Sequence, residues 1–223
     1  QDEIQVDGFN HELTVRQSVI TGHASGMITL NLSEAEPSAR EEMREQMNER
    51  YRTLLGHFRH ESGHYFWDRL IRNSSYLSSF RKLFGDERIG YQESMAMHYS
   101  EGPPDNWESQ WISAYASAHA WEDWAETWAH YLHMVATLET AHDFGFQIDG
   151  SVIASPEPQT EDFIPFYGPG SFDALAEDWG RLSTALNSLN RSMGMEDAYP
   201  FVIAPASLKK LRFGHRVVRA SAA

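Results

Sequence analysis

The sequence predicts a mainly α-helical chain of the α+β class, with a small β-sheet near its start. Three observations predict it. A long run from Pro37 to about Arg72 places Met43, Met47, Tyr51, Leu54, Leu55, Phe58, Tyr65 and Leu70 at helical rather than alternating spacing. A second run, from about Ser117 to Ala141, is helical and heavily aromatic. Residues that favour strands cluster only before residue 33.

Taken in order, Gln17–Ile20 and Met27–Leu32 read as two strands, and Thr21–Gly26 as the turn between them. The Pro37–Arg72 helix would break, if anywhere, near Arg40 or Arg52. Residues 73–110 read as shorter helical pieces with a turn at Gly102–Pro104. Residues 145–170 are rich in Pro and Gly and read as a surface loop. Ser171–Leu189 is helical again, with Phe172, Leu175, Trp179, Leu182 and Leu186 on one stripe. The stretch from Tyr199 to Pro205 reads as extended. Nothing repeats internally, and the 223 residues fit one domain, 1–223, large enough to bury a core.

Bulk composition narrows the function classes. With 18 basic and 32 acidic residues the formal charge is −14, which argues against nucleic acid and against an anionic membrane surface as partners. No stretch of about 18 apolar residues is present, so no membrane span is expected. The first residues lack the basic and apolar regions of a signal peptide, and the expected location is cytoplasmic. The chain has no cysteine, which removes thiolate metal sites, disulfides and a cysteine nucleophile. A metal site here must use histidine and carboxylate, a donor set that favours zinc.

Such a donor set is present. His60-Glu61-Ser62-Gly63-His64 has the H-E-x-x-H pattern within a helical run. At about 100° per residue, His60 and His64 lie roughly 40° apart and one turn apart, so both imidazoles reach one ion. Glu61 lies beside the ion rather than on it, placed to take a proton from metal-bound water. The same five residues also arise by chance, as two packed histidines and a solvated glutamate. His57 reads as a packing residue or an extra ligand. Asp68, one turn beyond His64, reads either as an acceptor that orients a ligand histidine or as a plain solvated carboxylate.

A catalytic zinc has three protein ligands and an open position. The run Tyr115–His133 offers the third. Glu122, Glu126 and His133 share one helix face, while Trp124, Trp128 and Tyr131 take the other and should pack into the core. An ordinary amphipathic helix with solvated glutamates is the alternative. A closed, purely structural zinc would draw a fourth ligand from His57, Asp68, Glu126 or His133.

His60–His64 followed by Glu122-x-x-Ala125-Glu126 resembles the gluzincins. Locally, Tyr115 through Glu126 resembles the active-site run of anthrax lethal factor. More broadly, Thr21–Asn31, Tyr51–Glu61, Phe84–Arg88, Trp121–His133 and Leu189–Gly194 resemble a bacterial family of zinc-binding metallopeptidases. These resemblances imply a zincin-like domain with one zinc, and a peptide or protein substrate hydrolysed by a metal-activated water. They imply Glu122 as third ligand, Glu126 as a supporting residue beside the ligands, and Tyr115 as donor to the oxyanion; His133, by its place on the same helix face, reads as a further supporting residue. They further imply that the edge of the Met27–Leu32 strand accepts an extended substrate, where a purely structural strand is the alternative. Hydrolysis of a non-peptide amide, or a zinc-stabilised binding module, are the other functions compatible with these residues. Two departures stand out: no Cys-rich zinc ribbon is present, and Ala120 stands where the family tends to have proline.

Overall fold

The computed structural model describes residues 53–148 and 172–221 throughout, together with residues 2–4, 15–17, 22–24, 26–31, 35, 36, 38, 42 and 151–152. The expected strand residues 18–20, nearly all of the expected helix from 37 to 52, and most of the expected loop at 149–170 lie outside the described residues.

Four short strands come first: β1 (Asp2–Ile4) pairs antiparallel with β2 (Val15–Gln17), and β3 (Gly22–Ala24) with β4 (Met27–Thr29). The turn is therefore tighter than Thr21–Gly26, because Gly22–Ala24 are already strand. Gly26, at φ 85°, supplies the left-handed residue that so short a turn needs, and its N–H donates to His23 Nε2 at 3.0 Å. This hairpin leans on Tyr65 of the next helix, whose ring stands edge-on to His23 with centroids 6.0 Å apart.

Helix α1 spans Leu54–Leu70. Thr53 is extended and its Oγ1 accepts the Gly56 N–H at 2.9 Å, so a helix starts here, next to Arg52. Helices α2 (Leu77–Phe84) and α3 (Tyr91–Glu101) follow, and α3 ends at Gly102 with φ 80°. The Asp86–Arg88 link between them is salt-bridged: Arg88 holds Asp86 and Arg81 holds Glu87.

Helix α4 (Ala120–Asp143) starts later than the sequence predicts. Tyr115–Ser117 instead form a single 3-10 turn. His119 is extended and caps α4, its Nδ1 accepting the Trp121 N–H at 3.1 Å while Nε2–H donates to the Ile89 carbonyl at 3.1 Å. Ala120 is thus the first helical residue, a position where proline is favoured but not required.

The segment after α4 opens with a small hairpin, β5 (Gln147–Ile148) paired with β6 (Ser151–Val152). Helix α5 (Phe172–Ser192) buries Phe172, Leu175, Trp179 and Leu182 along the expected stripe. Asn187 holds the backbone of Tyr199 through bonds of 2.8 and 2.9 Å. Helix α6 (Pro205–Ser221) was not expected from the sequence, although Pro205 at its first position marks the start.

Helix α4 is the central element. One core joins Tyr131, Met134, Val135 and Leu138 of α4 to Leu175, Trp179 and Leu182 of α5 and Leu211 of α6. The other joins Trp124 and Trp128 to Trp67 and Ile71, to Phe80 and Phe84 of α2, and to Phe213 and Val217 of α6. The aromatic face assigned to Trp124, Trp128 and Tyr131 is accordingly buried. No helix among the described residues is long and apolar enough to cross a membrane.

Candidate metal centre

Helices α1 and α4 touch where Gly63 meets Ala125. A Cβ on Gly63 would lie 2.9 Å from Ala125 Cα and 3.2 Å from Trp128, so only glycine allows this approach. Two indoles lock the crossing: Trp124 Nε1–H donates to the Gly63 carbonyl at 2.9 Å and Trp128 Nε1–H to Ser62 Oγ at 3.1 Å. Gly63 lies between the two histidines of its motif, and Ala125 between Glu122 and Glu126 of α4. The crossing that small residues permit therefore brings one pair against the other.

His60, His64 and Glu122 are all buried, and each offers a ligand atom within 4.8 Å of the others. His60 Nε2 lies 3.0 Å from Glu122 Oε2, and His64 Nε2 lies 3.5 Å from Glu122 Oε1. Ligand atoms about 2.0–2.1 Å from a tetrahedral zinc sit roughly 3.3 Å apart, so this donor set fits a zinc ion by spacing and by chemistry. The His64 ring packs on Trp121, centroids 4.1 Å apart.

The residues around these three form a supporting layer. His60 Nδ1–H donates to Glu126 Oε1 at 2.7 Å, which leaves Nε2 facing the donor set. Glu126 Oε2 accepts Ser113 O–H at 2.6 Å, and Ser113 Oγ in turn accepts the Ala116 N–H at 3.1 Å. Glu122 Oε1 accepts Tyr91 O–H at 2.9 Å. Neither Ser113 nor Tyr91 was singled out from the sequence, since both belong to other elements and carry no motif.

Charge follows this geometry. Burial lowers the His60 pKa, but Glu122 and Glu126 outweigh it and hold the ring well above the usual histidine range. Burial raises Glu122 and Glu126, yet hydrogen bonds from His60, joined at Glu122 by His64, keep both carboxyls below theirs. Two carboxylates, Glu122 and Glu126, meet the histidines here, and among the described residues no Arg or Lys pairs with them. Glu61, next to His60 in the chain, is 7 % exposed and its carboxylate forms no hydrogen bond with a described residue.

Tyr115 stands beside the donor set, its ring 5.8 Å from His60 and 6.0 Å from His98. Burial, and then the charge of Glu122, push its phenol pKa up, so it stays a protonated donor. Asp68 is paired with Arg72 at 2.7 Å, while His64 Nδ1 is buried with no hydrogen bond to it. His133 shares the face of Glu122 but lies two turns beyond Glu126, about 10 Å along the axis. Its ring is hydrogen-bonded to Arg59. His130, which carries no motif of its own, lies nearer and bonds Tyr199 Oη at 2.7 Å through Nδ1.

Over residues 3–217 the chain matches the family described as "Putative zinc-binding metallo-peptidase". It belongs to that family. Uncharacterized proteins of Mycobacterium bovis and Mycobacterium tuberculosis are 48% identical to it over 206 residues, covering 92% of this chain. The chain spans 58% of the length of those relatives. No solved structure matches the chain.

Proposed function

We propose that this metallopeptidase-family chain hydrolyses peptide bonds in a zinc-dependent reaction, with His60, His64 and Glu122 as the ligands of one ion. Bound zinc supplies Lewis-acid polarisation of a carbonyl and eases the ionisation of water. Glu61, beside the ligands and with no described hydrogen-bond partner, takes the proton of the attacking water and passes it to the leaving amine. Tyr115 donates its O–H to the oxygen of the tetrahedral intermediate. Glu126, steadied by Ser113, fixes the His60 tautomer and orientation.

The observation that carries this reading is the convergence of three buried donors, with the motif's Glu61 not among them. A closed structural site would need a fourth ligand. Asp68, His133 and Glu126 are engaged elsewhere, with Arg72, Arg59, and His60 Nδ1 plus Ser113 respectively, and His57 is not part of the convergent donor group. An unbiased peptide library incubated with the zinc-loaded chain, with and without chelator, tests the reading. Cleavage that chelator stops and added zinc restores is expected. Cleavage indifferent to chelator, or none at all by zinc-loaded protein, overturns it.

A further inference from the structure

Glu122 is 1 % exposed and meets three side chains: His60, His64 and Tyr91. The two imidazole contacts cannot survive metal binding as hydrogen bonds, because a ligating nitrogen presents its lone pair to the ion and carries no proton. The Tyr91 O–H is then the donor left to hold the carboxylate. A neutral phenol does this without cancelling the negative charge that attracts the cation, which an Arg or Lys in the same place would do. Burial and the neighbouring carboxylate push the Tyr91 pKa up, so the donor stays protonated.

Its placement links the site to another element. Tyr91 is the first residue of α3, a helix none of whose residues is buried. Its ring stands edge-on to His119 and Trp121, with centroids 5.3 and 6.0 Å away, the residues that cap and open α4. One side chain on an outer helix thus touches a ligand and the start of the helix that carries that ligand.

We infer that Tyr91 is a positioning residue of the metal centre, holding the Glu122 carboxylate in place for the ion. This rests on the zinc reading above. Tyr91→Phe keeps the ring packing and deletes the hydroxyl. Zinc affinity is measured by competition with a chromophoric chelator, and the cobalt(II)-substituted protein is compared by visible absorption. The expected result is zinc binding weakened by about 10- to 100-fold, with a changed cobalt spectrum and an unchanged melting temperature of the metal-free chain. Tyr99→Phe, an exposed tyrosine of the same helix, should match wild type in both measurements. A Tyr91→Phe chain with wild-type zinc affinity and wild-type cobalt spectrum overturns the inference while leaving the zinc site standing. Wild-type protein that takes up no zinc overturns both.

Discussion

Two polar clusters are buried at the start of α4, one residue apart in sequence, and they balance charge in different ways. Asp123 is 0 % exposed and its Oδ2 accepts Lys210 Nζ–H at 2.6 Å; Lys210 also donates to the Gln110 carbonyl at 2.8 Å. That cluster carries its own cation and clamps α6 to α4. Glu122, next to it, gathers with Glu126 and two histidines, and has no lysine or arginine among the described residues. In the metal-free protein His60 is driven toward its protonated form by the surrounding carboxylates. On the proposed zinc reading, a metal ion replaces that proton as the cation of the cluster, and the donor types favour zinc.

The comparison breaks most visibly at the ligands. His60→Ala, His64→Ala and Glu122→Ala should each abolish stoichiometric zinc, read by elemental analysis after dialysis. Glu126→Ala should weaken zinc by about 10- to 100-fold, because it deletes only the His60 support. Loss of metal in Glu126→Ala with retention in Glu122→Ala would exchange their roles.

Lys210→Met sharpens the other half. It leaves Asp123 buried and unpaired, which should cost about 3–5 kcal/mol in denaturant unfolding. Burial already lifts the Asp123 pKa to about 7 even with Lys210 beside it, so without Lys210 the carboxyl is driven further toward its protonated form. The folded fraction should still bind zinc with wild-type stoichiometry. Combining it with Asp123→Leu should restore much of the stability. A variant as stable as wild type would show that the clamp contributes little.

The smallest effect belongs to His130, which lies behind Glu126. Burial holds its pKa at about 4, below the ordinary value near 6.5. The unfolded chain therefore takes up a proton that the folded chain refuses, and stability is lost as pH falls from about 6.5 to about 4. The slope is about 1.4 kcal/mol per pH unit for one such proton. In metal-free protein, His130→Gln should give a shallower melting profile over that range than wild type. Parallel profiles would remove His130 from the acid response.

The local parts of the site were legible in the sequence. Two histidines four apart share a helix face whatever surrounds them, and Trp124, Trp128 and Tyr131 could only be buried. Gly63 and Ala125 lay inside the motifs, but the close approach they allow is visible only once α1 and α4 are paired. What periodicity cannot give is depth and partner. His133 has the right angular position but lies two turns too far along the axis. Asp68 is spaced to reach a histidine yet pairs with Arg72 on its own helix. Tyr91 and Lys210 reach α4 across 31 and 87 residues, distances over which no local pattern operates. Thr53 and His119 show that helix starts are decided by which side chain finds a free N–H, and a histidine is an uncommon cap.

The central claim is that Glu61 performs the chemistry at a metal it does not hold, and Glu61→Gln tests this most directly. The substitution keeps size and removes the base. Zinc content and the melting temperature of the zinc-loaded protein should equal wild type, while peptide hydrolysis falls by a factor of about 100 or more. Hydrolysis at the wild-type rate in Glu61→Gln, with zinc still bound, would contradict the account.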